Sequence, residues 1–417
     1  MNIFMKSMGL VLLATCSCGG VTQPSVGSEP DVQTANALLA AKKKKHSITV
    51  SPSSAVLAAG ATLQFQATVK GSDQATWSAS LGSVDNSGLY TAPAQTGSDT
   101  VIATIAGSQV HASATVTIIG SSGGGRDWNA SPAIVDQSQP NIVYAMSDVH
   151  GAYQRMLTLL ARAGLVAPAP ATPAAIHWTG ATAVLVVVGD LIDKGPQGVE
   201  VIDALIALEK SALTSGGQLV VTVGNHEVEF LVDPQNSKAT GSDGFDQELS
   251  ALGIVPEDVA AGREPRGAWL RQRPFAARLG PWFFAHAGNT GGSSLAQMDT
   301  AFRGAVDIND FNDPVFLGID SILESRNWFA ADATIGGRYA KAIPAKHIVF
   351  GHDPGSIAPK GAVGVVQNGA LFKIDCGMSP DVNDSQGYLL RITHESGGDV
   401  VTAMAFDGTV SSIWKSN

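Results

Sequence analysis

Five short segments stand in fixed order along the chain, each beside an apolar run: Asp148-Val149-His150-Gly151, Gly189-Asp190-Leu191-Ile192-Asp193, Gly224-Asn225-His226-Glu227, His286-Ala287-Gly288 and Gly351-His352. Carboxylates, an amide and imidazoles in this combination are the donor set of two adjacent divalent cations. One carboxylate bridges them, oxygen and nitrogen donors surround them, and open positions remain for water and phosphate oxygens. Phosphoester hydrolysis is the chemistry such a pair supports. Asp148 and His150, two apart, can turn towards one cation where a strand breaks into a loop, and Asp190 is the expected bridge. Asn225 offers a neutral oxygen, and His286 and His352 offer imidazole nitrogen, to the second cation. A water shared by two cations is acidic enough to supply hydroxide near neutral pH, and the cations offset charge gathering on phosphorus. His226, beside Asn225, is placed to protonate the leaving oxygen, and Asp193 to hold that imidazole in its useful orientation.

These side chains need elements that aim them. Strand-like apolar runs at 142–146, 183–188 and 219–223 lead into Asp148, Asp190 and Asn225. Each candidate thus sits past the C-terminal end of a buried strand, where open α/β sheets place their chemistry. Further strands are expected at 282–285, 347–350, 371–375, 388–393 and 400–405. The predicted class is α/β, a sandwich of two β-sheets flanked by helices. The polar stretch 230–267, with an acidic helical piece near 245–252, is expected to cap the site and to govern substrate choice.

Over residues 140–405 the ordered segments resemble the calcineurin-like metallophosphoesterases. Gly224-Asn225-His226-Glu227 and Gly189-Asp190-Leu191-Ile192-Asp193-Lys194-Gly195 are similar to the phosphoprotein-phosphatase branch. Three stretches resemble its bacterial Shewanella-like members: 224–231, which lacks arginine after the glutamate, Gly267-Ala268-Trp269-Leu270-Arg271, and Ile374-Asp375-Cys376-Gly377-Met378-Ser379. The resemblance implies that Asp148, His150 and Asp190 bind one metal and Asp190, Asn225, His286 and His352 the other. It makes His226 the general acid, with Asp193 beside it. Manganese, iron or zinc suits these donors.

Two positions depart from the pattern. The family usually has arginine where this chain has Lys194, and eukaryotic relatives carry a phosphate-binding arginine where it has Glu229. Lysine is a point charge rather than a planar fork. Lys194 and Arg326 are therefore the expected phosphate-binding residues, with Arg266 and Arg271 as further candidates. The implied substrates are phosphomonoesters, on small molecules or on phosphoserine, phosphothreonine or phosphotyrosine of proteins. Hydrolysis of a nucleotide or dinucleoside polyphosphate is the alternative on the same metal core. A non-catalytic surface-binding lipoprotein is the alternative of another kind, and the intact donor set argues against it. His177, His347 and His394 lie outside the motifs and are assigned structural or surface roles, and Cys376 is read as a small buried residue, since no phosphate-cradling loop accompanies it.

The rest of the chain supplies an address. Residues 1–18 hold a lone Lys6, an apolar core at 8–14 too short to span a bilayer, and two cysteines, as an export signal does. The cysteine at its end resembles a bacterial lipoprotein signal, with Cys16 as the expected lipidated residue and Cys18 as the alternative. This places the protein in the cell envelope, at the outer membrane or cell surface, as a monomer that touches membrane through its lipid only. Residues 19–46, ending in Lys42-Lys43-Lys44-Lys45 and His46, read as a tether. Short alternating runs at 47–119 predict an all-β sandwich that resembles bacterial Ig-like domains, with Trp77 in its core and His111 on its surface. Residues 120–140, with Ser121-Ser122-Gly123-Gly124-Gly125, read as linker, and 141–417 as the catalytic domain. Only Cys376 follows the signal, so no internal disulfide is expected. With 417 residues, 44% of them apolar, the chain can bury two cores. A formal charge of −10 disfavours nucleic acid as a partner.

Overall fold

The computed structural model describes residues 46–416 apart from 59, 71–73, 94–96, 120–125, 331 and 383–384. The expected signal, all but the last residue of the tether, the Gly-Ser joint, Cys16 and Cys18 lie outside the described residues.

Two six-stranded sheets carry the candidate ligands. The first runs in the order Gln218–Thr222, Val184–Val188, Ile142–Met146, Tyr388–Glu395, Gly398–Ala405, Val410–Lys415. Its first three strands are parallel and its last three pair antiparallel. The second runs Ile134–Gln137, Ala276–Leu279, Trp282–Ala285, His347–Phe350, Leu371–Lys373, Gly364–Val366, with the third, fourth and fifth parallel to one another.

Continuous apolar runs form these strands because both of their faces are buried. Val184, Val186 and Val188 enter a core between the sheets with Trp282, Phe284, Val349 and Phe372. The alternate residues Leu185 and Val187 face outward, under Met156 and Leu159 of the helix Tyr153–Arg162 and Ile202 and Leu205 of Gly198–Thr214. Phe283, Ala285, Ile348 and Phe350 do the same on the second sheet, beneath the helices Leu295–Asp307 and Ile335–Ala342. The molecule has the mixed α/β fold of two sheets flanked by helices. The strands Ile142–Met146, Val184–Val188 and Gln218–Thr222 of the first sheet and Trp282–Ala285 and His347–Phe350 of the second each lead directly into one of the five motifs.

One strand departs from the sequence reading. Ile134–Gln137 lies inside 120–140, expected as linker, yet pairs parallel with Ala276–Leu279, so the sheet begins before residue 141. It is an edge strand, where polar side chains are tolerated and hide the pattern; Asp136 meets Arg278 at 2.6 Å. Arg126, upstream, donates to the carbonyls of Ser131, Pro132 and Arg273 and so ties this segment to the sheet.

Residues 47–119 form strands in sheets of two, four and three. Trp77 packs against Phe65 with ring centroids 6.5 Å apart, while His111 is exposed. Buried Asp99 accepts the N–H groups of Ser80, Leu81 and Gly82 and the Tyr90 hydroxyl, the last at 2.6 Å.

Candidate metal centre

Sharp turns at the strand exits bring the donors together. Asp148, His150, Asp190 and His352 have φ of 53°, 44°, 52° and 66°, a left-handed region that Asp and His enter more readily than most residues. The motif glycines have a steric reason. A Cβ on Gly224 would lie 2.2 Å from Asp190 Oδ1, and one on Gly351 2.1 Å from Asp148 Oδ2. Only glycine lets these backbones pass so close to the carboxylates.

Asp190 is the centre of the cluster. Its Oδ1 is 3.2 Å from His286 Nε2 and its Oδ2 is 3.4 Å from His150 Nε2, so the two oxygens face different imidazoles, as a carboxylate that bridges through both oxygens would. His150 Nε2 lies 4.0 Å from Asp148 Oδ1. Asn225 Oδ1 lies 3.2 Å from His286 Nε2 and 3.1 Å from His352 Nδ1. All six expected ligands are buried.

Two observations show that cations fit here. Three histidines turn their outer nitrogen to a backbone carbonyl: His150 Nδ1 to Ile192 O at 2.9 Å, His286 Nδ1 to Val188 O at 2.9 Å, His352 Nε2 to Glu324 O at 3.0 Å. A carbonyl accepts, so that nitrogen carries the proton and the inward one keeps its lone pair for a metal. Secondly, the cluster buries two neighbouring carboxylates, Asp148 and Asp190. Burial would lower His286, but Asp190 and Asp148 outweigh it and raise that imidazole to about 10. Burial and the neighbouring His286 push His352 down to about 2, and burial pushes the Asp148 carboxyl up. Divalent cations would offset this buried negative charge.

His226 differs from these three. Its Nδ1 meets a carboxylate, Asp193 Oδ2, at 2.7 Å, while Asp193 Oδ1 is fixed by the N–H of Phe245 at 2.9 Å. Its Nε2 lies 3.8 Å from Asp190 Oδ2. Distance alone would allow it as a ligand with His150 and Asp190, since donor atoms of all three lie within 4.8 Å.

Glu227 closes its motif with a role that its sequence position does not reveal. Its carboxylate is fully buried and accepts four backbone N–H groups: Asp190 at 2.9 Å, Gly224 at 2.7 Å, Leu191 at 2.7 Å and Ile192 at 3.3 Å. It thereby locks the Asp190 loop to the Asn225 helix. Burial, then the Asp190 charge, raises its pKa.

A cleft of about 420 Å³ opens over Asp190, Asn225, His226 and His352, and Lys194 and Arg326 stand at its rim. Lys194 Nζ is 3.1 Å from His150 Nε2, and Arg326 lies 3.5 Å from Asp353. Lys238 and Glu324, which belong to none of the five motifs, also line it. A second cleft of about 360 Å³, which includes Lys360 and Asp375, adjoins it through Lys194, Arg326 and His352. Arg266 and Arg271 are not part of either. Arg266, in the helix Pro265–Leu270, pairs with Asp203 and Glu264, and Arg271, which follows that helix, donates to Ala260 O and Asn309. His177 is exposed, His394 pairs with Asp399, and His347 stacks on Trp282. Cys376 is buried, which pushes its thiol up to about 12 and keeps it unreactive. The stretch 230–267 sinks Phe245 and Leu249 into the outer core of the first sheet and sends only Lys238 to the cleft wall.

The sequence pattern of the calcineurin-like phosphoesterases matches residues 143–356. An uncharacterized protein of Schizosaccharomyces pombe is 38% identical over 88 residues, which cover 21% of this chain and 25% of that protein. Shewanella-like protein phosphatase 2 of Arabidopsis thaliana is 25% identical over 318 residues, 64% of this chain and 78% of that one. The symmetrical bis(5'-nucleosyl)-tetraphosphatase of Methylococcus capsulatus is 30% identical over 147 residues, 35% and 42% of the two chains. The match thus spans less than two thirds of the yeast and Methylococcus proteins. A solved cold-active protein tyrosine phosphatase shares the fold, with a TM-score of 0.55 at 19% identity over 76% of this chain and 94% of that one. Another determination, from a Shewanella species, gives 0.53 at the same identity over 76% and 96%.

Proposed function

We propose that this chain, which belongs to the calcineurin-like phosphoesterase family, is an exported phosphomonoesterase that works with two divalent cations. It is a hydrolase that cleaves phosphoesters. The observation that carries the finer reading is the position of Asp190, whose two carboxylate oxygens face separate donor sets at the floor of a cleft with cations on its wall. Asp148, His150 and Asp190 would hold one cation, and Asp190, Asn225, His286 and His352 the other. When bound, the cations acidify water and offset charge on the phosphoryl group.

The remaining work falls to the chain's own groups. Asp193 fixes the His226 ring through Nδ1, which leaves Nε2 on the Asp190 side to hand a proton to the leaving oxygen. Lys194 and Arg326 stand where substrate phosphate oxygens enter. Among the described residues, no aromatic ring except histidine lines either cleft, so a nucleobase finds no stacking platform. That favours protein or small-molecule phosphomonoesters over the dinucleoside polyphosphates named for one relative. Manganese, iron and zinc all suit the donors.

Turnover of an aryl phosphate, phosphopeptides and diadenosine tetraphosphate, with each metal restored in turn, tests the reading. Phosphomonoesters should be hydrolysed with the higher kcat/KM. A preference for the tetraphosphate would reverse the choice.

The same proposal places the protein at the cell envelope, with lipid on Cys16 or, failing that, Cys18, and with an Ig-like spacer at 47–119 between tether and enzyme. No helix among the described residues is long and apolar enough to cross a membrane. Replacing both cysteines should release active protein from membranes. An unmodified N-terminus beyond residue 18 in the native protein would count against the anchor.

A further inference from the structure

Lys238 reaches the cleft from a segment that carries no motif. It belongs to the turn after the helix Asn225–Val232, and that turn braces itself. Asn236 Oδ1 accepts the N–H groups of Lys238 at 2.9 Å and Ala239 at 3.1 Å, and the Asn236 amide donates to Asp233 O at 2.9 Å. Gly244 closes so tightly on it that a Cβ there would lie 2.1 Å from Ala239 O. The Lys238 backbone is therefore held in place at the wall of the cleft.

Its side chain is held as well. Glu229 Oε1 accepts from Lys238 Nζ at 2.5 Å and from Asn225 Nδ2 at 2.9 Å. Asn225 and Glu229 are four apart on one helix and so share a face. One carboxylate oxygen thus joins a candidate metal ligand to a cation that shares the cleft with Asp190, His226 and His352.

We propose that Lys238 binds the phosphate group of the substrate, from a position set by Glu229; this rests on the phosphomonoesterase reading above. An ammonium has three donors on a flexible stem. One suffices for Glu229, and the others can serve a phosphate oxygen. The Lys238 side chain is 38% exposed, so a phosphate oxygen can reach the donors that Glu229 leaves free. The chain then presents three cations to the phosphate, Lys194, Lys238 and Arg326, from three separate segments.

The test compares wild type, Lys238→Met and Lys238→Arg, each loaded with metal, using an aryl phosphate as substrate and inorganic phosphate as competitive inhibitor. In Lys238→Met, KM and the inhibition constant of phosphate should both rise roughly tenfold or more, the worth of one hydrogen bond to a charged group. kcat, metal content and unfolding temperature should change little, since binding common to ground and transition states is lost. Lys238→Arg should recover most of the phosphate affinity. Unchanged KM and phosphate inhibition in Lys238→Met, beside an active wild type, would overturn the Lys238 assignment alone. A fall in kcat with loss of metal would overturn it too, by showing a structural role. A wild type without turnover of aryl phosphate would overturn the phosphomonoesterase reading, and this assignment with it.

Discussion

The Glu227 carboxylate accepts the backbone N–H of Asp190 at 2.9 Å, so a side chain on the Asn225 helix sets the backbone of the central carboxylate. The same carboxylate also takes N–H groups from Gly224, Leu191 and Ile192. Glu227→Gln keeps size and removes charge, but it turns an NH2 towards N–H donors. Stranding even one buried donor costs about 1–3 kcal/mol. Denaturant unfolding should show a loss of that order or greater, with weaker metal retention. Wild-type stability and metal content in the variant would mean that the two loops hold their shape without this carboxylate.

The positions around Asp190 were legible because each follows an uninterrupted apolar run such as Val184–Val188, which is buried on both faces and leaves its polar neighbours at one sheet rim. Glycines flanking Asp190 and His352 marked where the backbone turns. Other features left no comparable trace. Ile134–Gln137 is an edge strand whose polar side chains break the apolar pattern. Lys238 has no periodic neighbours, and only tertiary folding carries it to the cleft. Glu229 lies between these extremes: its four-residue spacing from Asn225 puts the two on one helix face, but its ammonium partner, Lys238, comes from a segment that carries no motif.

Loss of His226 should slow chemistry without emptying the metal sites. His226→Asn should reduce kcat roughly 10²–10⁴-fold, the range of general acid catalysis, while metal content stays as in wild type. The defect should be smaller for an aryl phosphate with an acidic phenol, which departs with little protonation, than for phosphoserine. Equal defects on the two substrates, or a lost metal, would move His226 to the ligand set that its distance from Asp190 also permits.

Asp99 gives the strands of 47–119 a pH dependence. Burial alone would raise its carboxyl, but the Tyr90 hydroxyl and the N–H groups of Gly82, Thr100 and Leu81 outweigh it and lower the pKa below the usual value of 3.8. A depressed pKa stabilises the folded state above the unfolded value, and the contribution disappears as pH falls through the folded one. Calorimetry of wild type and Asp99→Asn should therefore show a gap in unfolding temperature at pH 7 that shrinks under acid conditions below the ordinary carboxylate range. A gap that is constant with pH would show that the charge on Asp99 contributes nothing.

The central claim is that Asp190 joins two cations, and the most direct measurement is the number of metal equivalents retained by Asp190→Asn beside wild type after reconstitution and dialysis. The account predicts two per chain in wild type, fewer in the variant, and no turnover by it, because the shared ligand touches both donor sets. Two equivalents and near-normal activity in Asp190→Asn would contradict it.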